Sequence, residues 1–102
     1  MNKRTKACNI STKVRKIVHE RDGHSCIICG SSYAVQMAHT IPRSRGGLGI
    51  PENLVDLCWQ CHSNMDQSGS REEMLKRCND YLESIYPDFK SVVKIYRKGV
   101  SF

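Results

Sequence analysis

The sequence has no long apolar run, since its hydrophobic stretches, such as Cys26-Ile27-Ile28-Cys29, are only a few residues long. A helix that crosses a membrane needs about 20 consecutive apolar residues. The sequence therefore predicts no transmembrane helix and no membrane partner. The first residues are basic and lack the apolar segment of a secretory signal peptide, so we expect a cytoplasmic protein.

Acidic residues are absent before Glu20, whereas six Lys or Arg residues fall within residues 1–16. The net charge of the chain is +6 and its pI is near 9.2. Lys and Arg side chains that contact phosphates release counterions, which favours nucleic acid as a partner. A basic, solvated surface without a polyanionic partner is the alternative. We expect residues 1–10 to form a flexible basic arm.

The sequence also lacks an internal repeat and a recognisable domain boundary, and its 102 residues fit one small domain over residues 11–102. A chain of this length builds only a modest core, so a covalent or metal cross-link is expected. Six cysteines are available for it. In a reducing cytoplasm, metal binding is favoured over disulfides.

Local signals divide the first two thirds of the chain into short elements. Ser11 or Thr12 is a suitable N-cap for a helix that Gly23 ends. Short strands are expected at 34–38 and 54–57, with a long loop rich in Gly and Pro between them. A helix should then run from Cys58 to about Gln67.

A longer helix is predicted over residues 70–86. The run from Ser70 to Glu73 matches a capping box, and Pro87 should end the helix. Phe89 to Tyr96 is expected to form one more short element. The apolar positions recur at helical spacing and predict a wide buried face. They are Met74, Leu75, Cys78, Tyr81, Leu82 and Ile85.

Two C-x-x-C pairs, Cys26/Cys29 and Cys58/Cys61, are separated by 28 residues. Two thiolates three positions apart can turn toward one ion, and two such pairs supply the tetrahedral sulfur shell that Zn²⁺ prefers. The pattern predicts a structural Zn²⁺ that couples folding to metal binding. Cys78 lies on the apolar helix face and is expected to be a core thiol.

Several further motifs follow in register with these pairs. The order is His39, then Pro42-Arg43-Ser44-Arg45-Gly46-Gly47, then Glu52-Asn53-Leu54, then Leu57-Cys58-Trp59-Gln60-Cys61-His62. This order over residues 20–66 resembles the HNH, or ββα-metal, endonucleases, particularly the small zinc-containing versions found in phage genomes. The resemblance implies a small zinc-stabilised α+β fold. Its core would be a β-hairpin and a helix, flanked by N- and C-terminal helices.

The resemblance also implies roles for individual residues. His39 corresponds to the general base, and an imidazole with a pKa near 6.5 is able to accept a proton from water at neutral pH. Asn53 corresponds to the residue that braces the loop and orients the base. His62 corresponds to a ligand of the catalytic divalent ion. Asp66, four residues later on the same helical face, can share that ion or can simply be solvated.

The catalytic cofactor implied is Mg²⁺ or Mn²⁺, with Ni²⁺ or Co²⁺ as alternatives. Many family members carry Asp or His immediately before the base, where this sequence has Ala38. Two functions follow. The first is a metal-dependent DNA endonuclease, which nicks or cuts both strands. The second is a catalytically degenerate zinc module that binds DNA or a protein.

Arg43 and Arg45 are expected to contact the DNA backbone, or else to solvate their loop. His19 and His24 have no supporting pattern and are expected on the surface. The resemblance to phage proteins suggests phage packaging proteins as partners in the cytoplasm of a host cell. The sequence does not indicate the oligomeric state.

Overall fold

The computed structural model describes residues 2–67 and 69–97, without the side chains of residues 66 and 67. Within these residues, four helices and two strands follow one another. Two short 3-10 turns, Arg43–Arg45 and Pro51–Asn53, lie between the strands. The elements are α1 (Lys3–Cys8), α2 (Thr12–Asp22), β1 (Val35–His39), β2 (Leu54–Cys58), α3 (Trp59–Gln67) and α4 (Arg71–Ile85).

The two strands form an antiparallel hairpin in which Val35 pairs with Cys58 and His39 pairs with Leu54. Because side chains alternate along a strand, Ala38 lies on one face of the hairpin and His39 on the other. The face of Ala38 packs into the main hydrophobic core beneath α3 and α4. This core consists of Cys26, Ala38, Val55, Leu57, Cys58, Met65, Met74, Cys78, Leu82 and Phe89.

Helix α2 covers the opposite face of the hairpin and has the ends that the sequence predicts. The Ser11 hydroxyl accepts from the backbone N–H of Val14, and Gly23 ends the helix in the left-handed conformation at φ 67°. Near its C-terminal end, His19 Nδ1 donates to the fully buried carboxylate of Asp56 at 2.9 Å. The carboxylate of Asp22 accepts from the backbone N–H of Asp56. These bonds attach α2 to the middle of β2.

Helix α4 buries the predicted apolar stripe, and Cys78 is fully buried as expected. The capping box does not form, because Ser70 makes no side-chain capping bond and has a backbone conformation outside the extended region. The Tyr81 hydroxyl instead donates to Asp22 across the domain. Packing against the core and this long-range bond hold α4 in place where a local cap was predicted.

Both ends of the described chain differ from expectation. The basic segment predicted as a flexible arm contains α1, which begins with a hydrogen bond from the Thr5 N–H to the Asn2 side chain. Residues 89–96 form no regular element, although Ile95 makes an isolated bridge to Gly47.

Among the residues described, no helix is both long and apolar enough to cross a membrane. The predicted α+β class with a hairpin-and-helix core is confirmed.

Candidate functional site

The four cysteines of the two C-x-x-C pairs come together at one end of the hairpin. Their sulfur atoms all lie within 4.8 Å of one another, and the Sγ atoms of Cys29 and Cys58 are 3.6 Å apart. The two pairs have the same local geometry, since each first sulfur accepts from the backbone N–H three residues later, at 3.5 Å. In addition, the Ile27 N–H donates to the Asp56 carbonyl, which fixes the first pair against β2.

This four-cysteine site has the donor set and spacing of a structural zinc site. Tetrahedral coordination at about 2.3 Å would separate the sulfurs by about 3.8 Å, close to the spacing observed. Although burial acts to raise it, the backbone N–H groups of Cys29, Cys58 and Ile28 lower the pKa of Cys26 to about 7. Burial and the neighbouring sulfurs raise the pKa of Cys61. A divalent cation would stabilise all four thiolates together.

His39 ends β1 and is held by the N-terminal helix. Its Nε2 lies 2.9 Å from the carbonyl oxygen of Cys8, so Nε2 carries the proton and donates it. In the neutral ring Nδ1 is then the basic nitrogen. Burial lowers the pKa of His39, and the charges of Arg43 and His62 add to this effect, whereas the bond to Cys8 opposes it.

Asn53 is fully buried and uses both ends of its amide to hold the loop between the strands. Its Oδ1 accepts from the Thr40 hydroxyl at 2.6 Å and from the Ile41 N–H at 2.9 Å. Its Nδ2 donates to the carbonyls of Ile41 and Leu48. The backbone that follows His39 is thus fixed by one side chain, as the bracing role requires.

Two adjacent glycines of the loop, Gly46 and Gly47, are required by its geometry. Gly46 adopts a left-handed conformation at φ 81°, which an L side chain rarely occupies. A Cβ on Gly47 would lie 1.7 Å from the carbonyl oxygen of Ile41, so no larger residue fits there. The loop is therefore folded tightly onto the residues that follow His39.

His62 lies in the first turns of α3, directly after Cys61 of the four-cysteine site. Its Nδ1 contacts the side-chain oxygen of Gln36 at 2.7 Å, so Nδ1 donates and Nε2 carries the lone pair. Gln36 and His39 lie on opposite faces of β1, and His62 is near enough to influence the pKa of His39. The side chain of Asp66 lies outside the described part of the structure.

Arg43 makes its contacts with the end of α1. Its Nη2 donates to the Asn9 side chain, and its Nε donates to the Cys8 carbonyl at 3.3 Å. Arg45 is exposed in the same turn. The two arginines that the sequence groups together therefore have different surroundings, because only Arg43 holds the segment that contacts His39.

Comparison with known protein families adds a finding to this geometry. A family model described as HNH endonuclease matches residues 26–76, which is half of the chain. The chain belongs to the HNH endonuclease family. The match begins at Cys26, the first residue of the four-cysteine site, and ends inside α4, so it includes His39, Asn53 and His62. No curated protein matches the sequence.

One position of this HNH domain offers no metal ligand. Ala38 precedes His39 and is almost completely buried in the core between the hairpin and the last two helices. Among the side chains of residues 2–65 and 69–97, which are the ones described, no group of three or more His, Cys, Asp or Glu other than the four cysteines is placed to hold a metal.

Sequence reasoning missed two contacts that position the site of this HNH domain. The pairing of His19 with Asp56 joins residues 37 positions apart, and the expectation that His19 is a surface residue is wrong. His24, which is exposed, stacks on the His19 ring at 4.0 Å. The contact between Cys8 and His39 was missed because it uses a backbone carbonyl, which leaves no signal in residue identity.

Proposed function

We propose that this protein is a metal-dependent DNA endonuclease in which His39 is the general base for hydrolysis of a phosphodiester. The observation that carries the proposal is the hydrogen bond from His39 Nε2 to the Cys8 carbonyl. It selects the tautomer in which Nδ1 accepts a proton. No described residue hydrogen-bonds Nδ1, so this nitrogen can receive the proton of an attacking water.

The surroundings of His39 support this role electrostatically. Since its pKa is lowered, the imidazole is largely neutral at physiological pH and available as a base. Asn53 keeps the following backbone fixed, which limits the motion of the ring. His39 therefore has the protonation state, the tautomer and the rigid support that a general base needs.

The metal part of the proposal rests on His62 and Asp66. His62 presents Nε2 as a ligand atom because Nδ1 is held by Gln36, an arrangement common among metal-binding histidines. A divalent ion such as Mg²⁺ or Mn²⁺, when bound there, would stabilise negative charge on the phosphate and the leaving oxygen. Ni²⁺ and Co²⁺ suit the imidazole ligand as well.

The structural zinc and the basic residues complete the proposal. Zn²⁺ bound by the four cysteines would fix the start of α3, and with it His62, against the hairpin. Arg45, which is exposed in the loop between the strands, would contact the DNA backbone. Because one chain carries one such site, nicking of a single strand is the expected primary reaction.

A non-catalytic zinc module that binds DNA or a protein is the second candidate. The buried Ala38 favours it, since the position next to the base contributes no metal ligand. The presence of His39, Asn53 and His62 in the order that the family motif requires favours the enzyme.

A plasmid assay separates the two. Purified, zinc-loaded protein is incubated with supercoiled plasmid and Mg²⁺ or Mn²⁺, beside the variants His39→Ala and His24→Ala. We expect wild type and His24→Ala to convert the plasmid to the open circular form. His39→Ala should be at least about 100-fold slower, as loss of a general base implies. An intact plasmid with wild type would exclude the enzyme, and equal cutting by His39→Ala would remove His39 from the reaction.

A further inference from the structure

A cleft of about 430 Å³ opens directly beside His39. It lies where the end of α1, the start of α2 and the face of β1 that carries His39 meet. None of its lining residues is acidic and two are arginines, so the cleft favours an anion. The lining residues are Asn9, Ile10, Arg15, Met37, His39 and Arg43.

The two arginines of this cleft differ in what they already bind. Arg43 donates to the Cys8 carbonyl and to the Asn9 side chain, so its guanidinium is used to hold the end of α1. Arg15 is exposed, and within the described residues its side chain makes no hydrogen bond or ion pair. Arg15 is thus the cation of the cleft that is available to a ligand.

The spacing of residues along α2 explains why Arg15 reaches the cleft. Arg15, His19 and Asp22 are four and three positions apart and lie on one helical face. His19 and Asp22 both bond to Asp56 in the middle of β2. Asp56 pairs with Met37, and His39 is the next residue on that face of β1. Arg15 lies one helical turn before His19. Its side chain is therefore displaced along the hairpin from Asp56 toward His39, and both Arg15 and His39 line the cleft.

The bonds of His19 and Asp22 to Asp56 hold α2 rigidly against β2. The side chains of Asp22 and Asp56 are fully buried, and that of His19 is 18% exposed. Displacing α2 would leave buried carboxylates without their partners, which is costly. Arg15 therefore extends from a helix whose position relative to His39 is fixed.

We propose that the cleft between α1, α2 and β1 is a binding site for the DNA phosphodiester backbone, and that Arg15 is its principal phosphate ligand. The proposal rests on the proposed function, because Arg15 lines the same cleft as His39, the proposed general base. Arg43 acts by positioning α1. A guanidinium suits this role because it can donate two parallel hydrogen bonds to phosphate oxygens.

The test compares Arg15→Gln and Arg15→Lys with Lys16→Gln. Lys16 is exposed on the same helix, carries the same charge and does not line the cleft. Binding of a fluorescent DNA duplex is measured by anisotropy without divalent cation, across a range of salt concentrations. Circular dichroism and zinc content confirm that each variant is folded.

We expect Arg15→Gln to lower the slope of log K against log salt by about 0.9, which at about 0.1 M salt is about eightfold in Kd. Arg15→Lys should retain most of the affinity, and Lys16→Gln should change Kd by less than about twofold. If Arg15→Gln and Lys16→Gln weaken binding equally, the cleft is not the backbone site.

The plasmid assay with wild type distinguishes failure of this inference from failure of the proposed function. Cleavage by wild type together with unaltered binding by Arg15→Gln overturns the role of Arg15 and leaves the nuclease in place. An uncut plasmid together with weakened binding by Arg15→Gln overturns the nuclease and supports the cleft as a DNA site. Wild type that neither binds nor cuts DNA overturns both.

Discussion

At the scale of single residues, the protonation of His39 is set by its neighbours. Burial lowers its pKa, the nearby charges of Arg43 and His62 lower it further, and the Cys8 carbonyl partly opposes them. The general base must be neutral to act, so the rate should fall as pH drops through the lowered pKa. A divalent ion bound at His62 would act in the same direction as burial.

We therefore expect the acid limb of kcat/KM for DNA cleavage to have its midpoint below about 6.5, the ordinary value for histidine. The measurement is a pH–rate profile with plasmid DNA at constant ionic strength. Circular dichroism at each pH would show that the fold is retained across the limb. An acid limb centred above the ordinary value would contradict the assignment of His39 as a buried, neutral base.

The sequence predicted that the four cysteines lie together, because two C-x-x-C pairs have the spacing of a metal site. It also offered His39, Asn53 and His62 as candidates, because each belongs to a short motif with fixed spacing, and their catalytic roles stay predictions. It did not foretell the partners of these residues. The contact between His39 and Cys8 spans 31 positions, and Arg43 bonds across 34 and 35 positions. Such pairings depend on the tertiary fold and have no local pattern in the chain.

At the scale of elements, α2 was predictable and α1 was not. Helix α2 has a serine cap, a terminal glycine and apolar positions at helical spacing. Helix α1 is six residues long, and Cys8 is its only buried residue. So short a helix is marginal by itself, and α1 is held by bonds to the loop between the strands. These include Arg4 to the Ser44 carbonyl and Gly49 N–H to the Ala7 carbonyl.

The docking of α1 can be tested at Gly49. A Cβ at this position would lie 2.1 Å from the backbone oxygen of Asn9 and 3.1 Å from that of Cys8. Gly49→Ala should therefore push the end of α1 away from His39, at a cost of about 1–3 kcal/mol. DNA cleavage should fall about tenfold or more, because the carbonyl that fixes the tautomer of His39 is displaced.

The matched control is Gly69→Ala, since an added Cβ at Gly69 meets nothing within 4 Å. Cleavage rates and urea unfolding are measured for both variants. Retention of full activity by a folded Gly49→Ala protein would show that the contact with α1 does not support the base.

At the scale of the whole molecule, the proposed zinc links the core to the site. Cys26 and Cys58 are members of the main hydrophobic core, whereas Cys29 is exposed. Removing an exposed side chain with no metal bound should change stability by no more than about 0.5 kcal/mol. Removing a cysteine that binds a metal on which folding depends should lower the free energy of unfolding far more, whatever the exposure of its side chain.

We therefore expect Cys29→Ser to lose most of the bound zinc and to lower the midpoint of thermal unfolding strongly. Cys78→Ser is the control, because Cys78 is fully buried and lies outside the four-cysteine site. It should lose stability through packing yet keep one zinc per chain by metal analysis. Full zinc content in Cys29→Ser would contradict coordination by all four sulfurs.

Cys58 is both the last residue of β2 and a member of the four-cysteine site. A metal bound there would therefore act on the register of the two strands. Slippage of β1 by one residue against β2 would turn Ala38 toward Arg15 and bury His39 in the core. A metal that ties Cys58 to Cys29, which lies six positions before the start of β1 at Val35, would oppose such a slip of β1 against β2. The sulfur ligands would then determine, from the far end of the hairpin, which side chain meets the DNA.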